Sequence, residues 1–324
     1  MCEAGFINIL CTPDDNYLPY CGIMLTSLFE NNKDLRFKIY IVTQSINKAN
    51  RQKLNLLSER YNALIDIIPI DGNIFKDCPI RLGDHVSIAA YYRLIAAEVL
   101  PKDLDRILYL DCDIIINGSI KDLYEEDIEE FVFGAIKDEA YYYDRKYQRL
   151  CYEKKYSYIN SGVILFNLKK WREEGCSYKC LEYISKYPER IIFHDQDTLN
   201  GVLYDKIKLL PIKYNLQAGF LYECFANNYK NEVNEVLEAA KNPVIIHYTG
   251  SKPWKKGVKN PFSKHPYSKR YFYYKSISLW SRHPNEKESI GKRELIRNIK
   301  NEALWFFGIR KRPRVFIIEE QDYR

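Results

Sequence analysis

Residues 106–116 read Arg-Ile-Leu-Tyr-Leu-Asp-Cys-Asp-Ile-Ile-Ile, an apolar run broken only by Asp111, Cys112 and Asp113. Two carboxylates one residue apart, in a stretch that otherwise reads as a buried strand, are costly unless a cation neutralises them. A hard divalent ion with oxygen ligands does this and keeps coordination positions open for substrate phosphates. The pair therefore points to a metal-bound phosphorylated ligand at the end of a central strand. The alternative is a strand that ends at Asp111 and turns, leaving both acids in water. Asp-x-Asp alone does not choose between them.

The elements that would position this pair follow from hydrophobic periodicity. Residues 6–12 form an apolar strand running into Pro13-Asp14-Asp15-Asn16, a turn and cap cluster, and residues 17–30 carry apolar side chains at helical spacing. Strands are predicted over 37–43, 64–70 and 106–110, with helices over 47–61 and 87–100, the latter halted by Pro101. This β-α-β-α rhythm implies an α/β protein, a mostly parallel sheet flanked by helices on both faces. Ligands then gather beyond the carboxyl ends of the strands, where residues 12–16 and 111–113 lie. Further strands are predicted at 131–136, 163–166, 207–210 and 244–247. Between them, residues 139–158 are polar and tyrosine-rich, a long excursion that reads as a lid or an acceptor-facing loop.

At 324 residues the chain suits one large domain with an appendage, here 1–264 and a C-terminal extension 265–324. Residues 264–314 carry 14 Lys/Arg against 4 Asp/Glu, a balance of +10 that leaves −4 for the rest of a chain whose total is +6. The body is thus not basic, and nucleic-acid binding through it is not expected. The extension is aromatic and basic, and residues 292–308 can form a helix with Leu295, Ile299 and Leu304 apolar and Arg293, Arg297 and Lys300 charged. Such a segment suits an anionic membrane surface, or equally a helix packed on the body with its charges in water. The N-terminus lacks the pattern of a secretory leader, and no run of about 18 apolar residues occurs. Nine scattered cysteines fit reduced thiols, so the expected location is cytoplasmic, with peripheral attachment to the inner membrane face open. Cys176 and Cys180 have no second pair at zinc-site spacing and read as helix packing.

Six local patterns occur in one order: Thr12-Pro13-Asp14-Asp15-Asn16-Tyr17, Ser87-x-x-x-Tyr91-Tyr92-Arg93, Leu110-Asp111-Cys112-Asp113, Asn160-Ser161-Gly162, His194-Asp195-Gln196-Asp197, and His247-Tyr248-Thr249-Gly250-Ser251-Lys252-Pro253-Trp254. Together they resemble glycosyltransferase family 8, whose members are retaining enzymes of the GT-A fold. The resemblance runs from about residue 6 to 254 and includes Asn167-Leu168-Lys169-Lys170-Trp171.

The resemblance implies a hexosyltransferase that moves galactose or glucose from a UDP-sugar to a saccharide or glycolipid acceptor such as lipopolysaccharide. Asp111, Asp113 and His247 would ligate Mn²⁺, a mixed oxygen and imidazole set that suits Mn²⁺ better than Mg²⁺. Thr12, Asp14 and Asn16 match uridine-binding positions, and Tyr17 is placed to stack on uracil. Asp14 also reads as an ordinary cap for the following helix. Arg93, Asn160, Asp195 and Gln196 match donor-sugar contacts, with Cys112 and Ser161 beside them. Gly250 lets backbone approach phosphate, and Lys252 supplies a cation opposite the diphosphate. Here one residue, Ser251, separates Gly250 from Lys252 where many members have two, so Lys252 is expected to approach from a shifted position.

Asp111, Asp195 and Gln196 are the residues expected to carry the reaction. Asp195 would read the O4/O6 edge of the sugar, or only cap the helix that follows; Asp197 reads as structural. Two routes to retention are open, front-face attack by the acceptor or a transient covalent adduct. Gln196 lies beneath the anomeric carbon in the resembled enzymes, and a neutral amide is a poor nucleophile, which favours the first. A UDP-sugar-binding regulatory protein without transfer activity is the alternative from another class. A nucleotidyltransferase is disfavoured because residues 12–16 are acidic and contain no glycine.

Overall fold

The computed structural model describes residues 5–80, 87–222, 232–250, 252–256, 265–284 and 286–287. Its first half alternates strand and helix: β1 Ile7–Cys11, α1 Leu18–Glu30, β2 Phe37–Thr43, α2 Lys48–Tyr61 and β3 Leu64–Pro69. A 3₁₀ segment, Ile88–Ile95, leads into the short α3 Ala96–Val99, then β4 Arg106–Leu110, β5 Ile114–Ile116, α4 Lys121–Glu125 and β6 Phe133–Lys137. The second half continues with α5 Asp144–Leu150, β7 Ile159–Asn167, α6 Leu168–Glu173, α7 Cys176–Lys186 and α8 His194–Leu203. It closes with β8 Ile207–Leu209, β9 Leu216–Gln217, α9 Val233–Lys241, β10 Ile245–His247, β11 Lys255–Lys256, α10 Ser268–Ile277 and β12 Glu286–Lys287.

Seven strands form the main sheet in the order β3-β2-β1-β4-β7-β6-β8. All neighbours are parallel except at β7, which runs antiparallel to both β4 and β6. Alternation along the strands divides the core between the two faces. Ile9, Cys11, Leu108 and Leu110 pack on one side with α1, while Leu10, Ile107 and Tyr109 pack on the other. A smaller sheet, β5-β10-β9, continues from the exit of β4.

Three features depart from the periodicity reading. The strand expected over 106–110 is β4, but the apolar run beyond it is a separate strand, β5, in the small sheet, so Asp111, Cys112 and Asp113 form the seam between sheets. The helix expected over 87–100 is 3₁₀ for most of its length, a distinction that apolar spacing of three and four cannot make. The strand expected at 163–166 starts four residues earlier, and its pairing with β6 jumps from Ala135–Ile164 to Ile136–Asn160. This bulge displaces Ser161 and Gly162 from the ladder towards the seam.

Residues 139–158 are not a bare loop but hold α5 and a small core of their own. Tyr147, Leu150, Tyr152 and Tyr158 make a buried satellite core beneath α5. The described part of the expected C-terminal extension also packs inward. Tyr267, Tyr271, Tyr274 and Trp280 join the core on the outer side of α1, and Trp280 occupies the space that a side chain at Gly22 would need. That second cover explains why α1 is buried from Leu18 to Phe29. The helix predicted over 292–308 lies outside the described residues. Among the described residues no helix is long and apolar enough to cross a membrane.

Candidate active site

The carboxyl ends of β1 and β4 open into a cleft of about 370 Å³ lined by residues from all six patterns. Thr12, Asp14 and Tyr17 come from the exit of β1, Arg93 from the 3₁₀ segment, Asp111–Asp113 from the seam, Ser161 from the bulge, Asp195 and Gln196 from α8, and Gly250 and Lys252 from the turn after β10. His247, from the same segment as Gly250, sits just behind this surface.

The seam explains how residues 134 positions apart meet. In the antiparallel pair β5–β10, His247 stands opposite Ile114, and Tyr248 donates its N–H to the Asp113 carbonyl at 3.0 Å. His247 Nε2 is consequently 3.3 Å from Asp113 Oδ1 and 4.0 Å from Asp111 Oδ2. One ligand atom from each of Asp111, Asp113 and His247 lies within 4.8 Å of the others, so the three can hold a single ion. Gly162 makes room for them: a Cβ there would fall 2.8 Å from Asp111 Oδ2 and 2.9 Å from His247 Nδ1. Lys252 bonds Asp113 and the Tyr248 carbonyl. Burial raises the cost of charge on Asp113, yet Lys252 and His247 outweigh it and hold its carboxyl well below the usual range. Gly250 has φ +70°, a left-handed turn that brings Lys252 back over the seam.

Arg93 organises the opposite wall. Its Nη1 donates to the Ser161 carbonyl at 2.6 Å, its Nη2 to Asp111 Oδ1 at 3.0 Å, and its Nε to the Ala90 carbonyl at 3.0 Å. Its Nε also lies 3.2 Å from Asp195 Oδ2, and its Cζ stacks 4.0 Å from the Tyr109 ring centre. Tyr109 donates its hydroxyl proton to Asp111 Oδ1 at 2.6 Å, so in the 3.2 Å contact with Thr12 it is Thr12 that donates. Asp195 is buried, and burial pushes its carboxyl up against the pull of Arg93, with Asp111 adding to the rise. Its Oδ2 has no hydrogen bond of good geometry among the described residues.

Gln196 is fixed from below. The Ser161 N–H donates to one amide atom at 3.2 Å, which identifies that atom as Oε1; Asn160 Nδ2 donates to it as well, at 3.1 Å. Its Nε2 therefore faces Asp138 Oδ2 at 3.1 Å. Asp197 is structural, as its place in the sequence predicts. It is fully buried and accepts from Arg149 through both oxygens, from Tyr158, and from the N–H groups of Ile192 and Phe193. Asp195 makes no capping bond to α8, and Asp197 instead ties down the two N–H groups that precede the helix.

Besides His247, two expected residues stand apart from the cleft surface. Asn16 is exposed and does not line it. Asn160 is 7% exposed, and its amide is engaged by Gly162 N–H, Asn215, Gln196 and Asp138. Asp14 lines the cleft, and its Oδ1 accepts the Tyr17 N–H at 2.9 Å just ahead of α1. Sequence reading missed Tyr109, Asp138 and Asn215. Asp138, a carboxylate just past a strand, carried a usable signal; Tyr109 and Asn215 look like ordinary core and loop residues.

A mostly parallel sheet, one antiparallel strand beside the centre, and an acidic pair at a strand's carboxyl end define a GT-A fold. The structure aligns at TM-score 0.76 and 23% identity with a galactosyltransferase, LgtC, solved with donor and acceptor sugar analogues, covering 84% of this chain and 96% of that one. Glycosyl transferase family 8 is matched over residues 8–257, and the chain belongs to that family. It is 30% identical to the lipopolysaccharide 1,3-galactosyltransferase of Salmonella typhimurium over 86% of this chain and 80% of that protein. To a lipopolysaccharide 1,2-glucosyltransferase of Escherichia coli it is 31% identical, over 78% and 74% respectively. To general stress protein A of Bacillus subtilis it is 28% identical, over 87% and 97%.

Proposed function

We propose that this glycosyltransferase moves galactose or glucose from a UDP-sugar to a saccharide acceptor, with retention of configuration and with Mn²⁺ at Asp111, Asp113 and His247. The observation that carries the reading is the convergence of two carboxylates and one imidazole in a seam that also presents Lys252 and Gly250. The donor set fits the ion: Arg93 and Tyr109 engage Asp111 Oδ1 and Lys252 engages Asp113 Oδ2, which leaves Asp111 Oδ2 and Asp113 Oδ1 turned towards His247 Nε2 as a shared set of ligand atoms. When bound, the ion would supply Lewis-acid stabilisation of a departing diphosphate. The chain's own residues do the rest. Lys252 places a second positive charge beside the same position, and Arg93 holds Asp111 and Asp195 at fixed separation. Asp195, held beside Arg93 and lining the cleft, is placed to accept from a sugar hydroxyl. Gln196 has its carbonyl already accepting from Ser161 and Asn160, which favours an orienting role over nucleophilic attack and so supports front-face transfer.

Lipopolysaccharide or another surface glycan is the acceptor class suggested by the named relatives. The basic aromatic residues after 284 suit attachment to an anionic inner membrane face. A panel of UDP-hexoses incubated with Mn²⁺ and no acceptor tests the donor reading, with release of UDP from UDP-galactose or UDP-glucose expected and removed by chelator. Release from neither, with nucleotide still bound, supports the regulatory binding protein instead. Trapping a glycosyl adduct on Asp195, Gln196 or Asp197 would overturn front-face transfer.

A further inference from the structure

Imidazole has two nitrogens, and only the one without a proton can ligate a metal. Which nitrogen that is at His247 follows from a chain of hydrogen bonds that starts at an unambiguous donor. The Gly162 backbone N–H lies 3.0 Å from one terminal atom of the Asn160 side chain, so that atom is the oxygen, Oδ1. The same oxygen is 2.9 Å from a terminal atom of Asn215, which must then be the donor, Nδ2. The other Asn215 atom is therefore Oδ1, an acceptor only, and it sits 2.9 Å from His247 Nδ1. In the neutral ring Nδ1 must carry the proton, and Nε2 presents its lone pair towards Asp111 and Asp113.

We propose that Asn215 is a positioning residue that holds His247 in the Nδ1–H tautomer, with Asn160 and the Gly162 backbone setting the direction of the Asn215 amide. Asn215 is fully buried and enters β9, which pairs in parallel with β10 so that Gln217 stands beside His247. Rotation of its amide would set oxygen against oxygen at Asn160, and the buried mismatch holds the orientation. The relay also gives Asn160 a role behind the donor-sugar contacts, since the same amide reaches Gln196 Oε1. One pattern at the bulged start of β7, Asn160-Ser161-Gly162, thus orients the imidazole on one side and Gln196 on the other. The inference rests on the reading of Asp111, Asp113 and His247 as a metal site, and it predicts a ring state that exists without the metal.

The test uses full-length protein with ¹⁵N-labelled histidine in mildly alkaline buffer, where one of five histidine ring systems is identified as His247 by its loss in His247→Gln. Metal-free wild type is expected to show a protonated Nδ1 and an unprotonated Nε2 at His247. Asn215→Leu is expected to lose that preference and to weaken Mn²⁺ binding, read by the free-ion electron paramagnetic resonance signal, by about 10–100-fold. Asn160→Ala, which frees the Asn215 amide to rotate, is expected to give a mixture of tautomers, and it serves where Asn215→Leu does not fold. An Nε2–H ring in wild type overturns the proposal, as does an unchanged tautomer in a folded Asn215→Leu. A changed tautomer with unchanged Mn²⁺ affinity overturns the link between them. Wild type that takes up no Mn²⁺ but shows the Nδ1–H ring overturns the metal reading and supports the tautomer assignment.

Discussion

Arg93 shows how much one side chain can organise. Its guanidinium spans Asp111, Asp195, the Ser161 carbonyl and the Ala90 carbonyl while lying over Tyr109. A planar fork with fixed donor directions can satisfy this set, and a point charge on a flexible stem cannot. Arg93→Lys should therefore keep the positive charge and the fold but lower kcat/KM at least ~100-fold, because Asp195 is left buried without its partner. Steady-state UDP release beside a thermal melt checks this, and near wild-type kcat/KM would remove Arg93 from the site. Sequence reading found Arg93 through Ser87-x-x-x-Tyr91-Tyr92-Arg93, and the contact it forms with Asp195 could not be read there. Nothing local distinguishes an arginine that bridges two carboxylates from one that points to water.

At the scale of elements, α5 braces the floor of the site. Lys146 and Arg149, three residues apart on one helical face, reach Asp138 and Asp197, which flank Gln196 from below and from the next position in the chain. The tyrosine-rich excursion is thus a support for α8. Its buried surface is built from tyrosine hydroxyls and paired charges, which composition counts as solvent-facing, so periodicity reading did not show the support. Arg149→Met breaks a buried bidentate pair, and equilibrium denaturation should show a loss of about 3 kcal/mol, with activity per folded molecule falling because α8 loses its anchor. A loss under about 1 kcal/mol would mean that Tyr158 and the Ile192 and Phe193 N–H groups suffice to hold Asp197.

Over the whole molecule, the described residues after 264 are part of the core, and they place His265 in contact with Tyr248. Burial, then the positive charges of His247 and Lys252, press its pKa down to about 3. The native protein therefore binds fewer protons than the unfolded chain between pH 3 and about 6.5, and stability rises with pH across that window. The contribution is complete above about 6.5 and is lost as pH falls towards 3. From pH 7 to 5.5 wild type should lose about 1 kcal/mol more than His265→Gln in matched denaturation curves. Equal losses would show that His265 does not set this slope. The residues beyond 284 are tested separately: a chain ending at Pro284 should fold and lose binding to anionic vesicles, and unchanged binding would remove the membrane assignment.

The order of strands and helices, the α/β class and most of the site were legible because each is encoded locally. Two-residue and 3.6-residue apolar periods mark the elements, and short polar patterns mark the strand exits where ligands gather. The sequence could not show that Asp111 and Asp113 lie at a seam between sheets, that β7 bulges, or that Asn215 stands behind His247. Those facts depend on pairing between residues tens to hundreds of positions apart. Register, bulges and the direction of a buried amide are chosen only when the packed chain must satisfy every polar group at once.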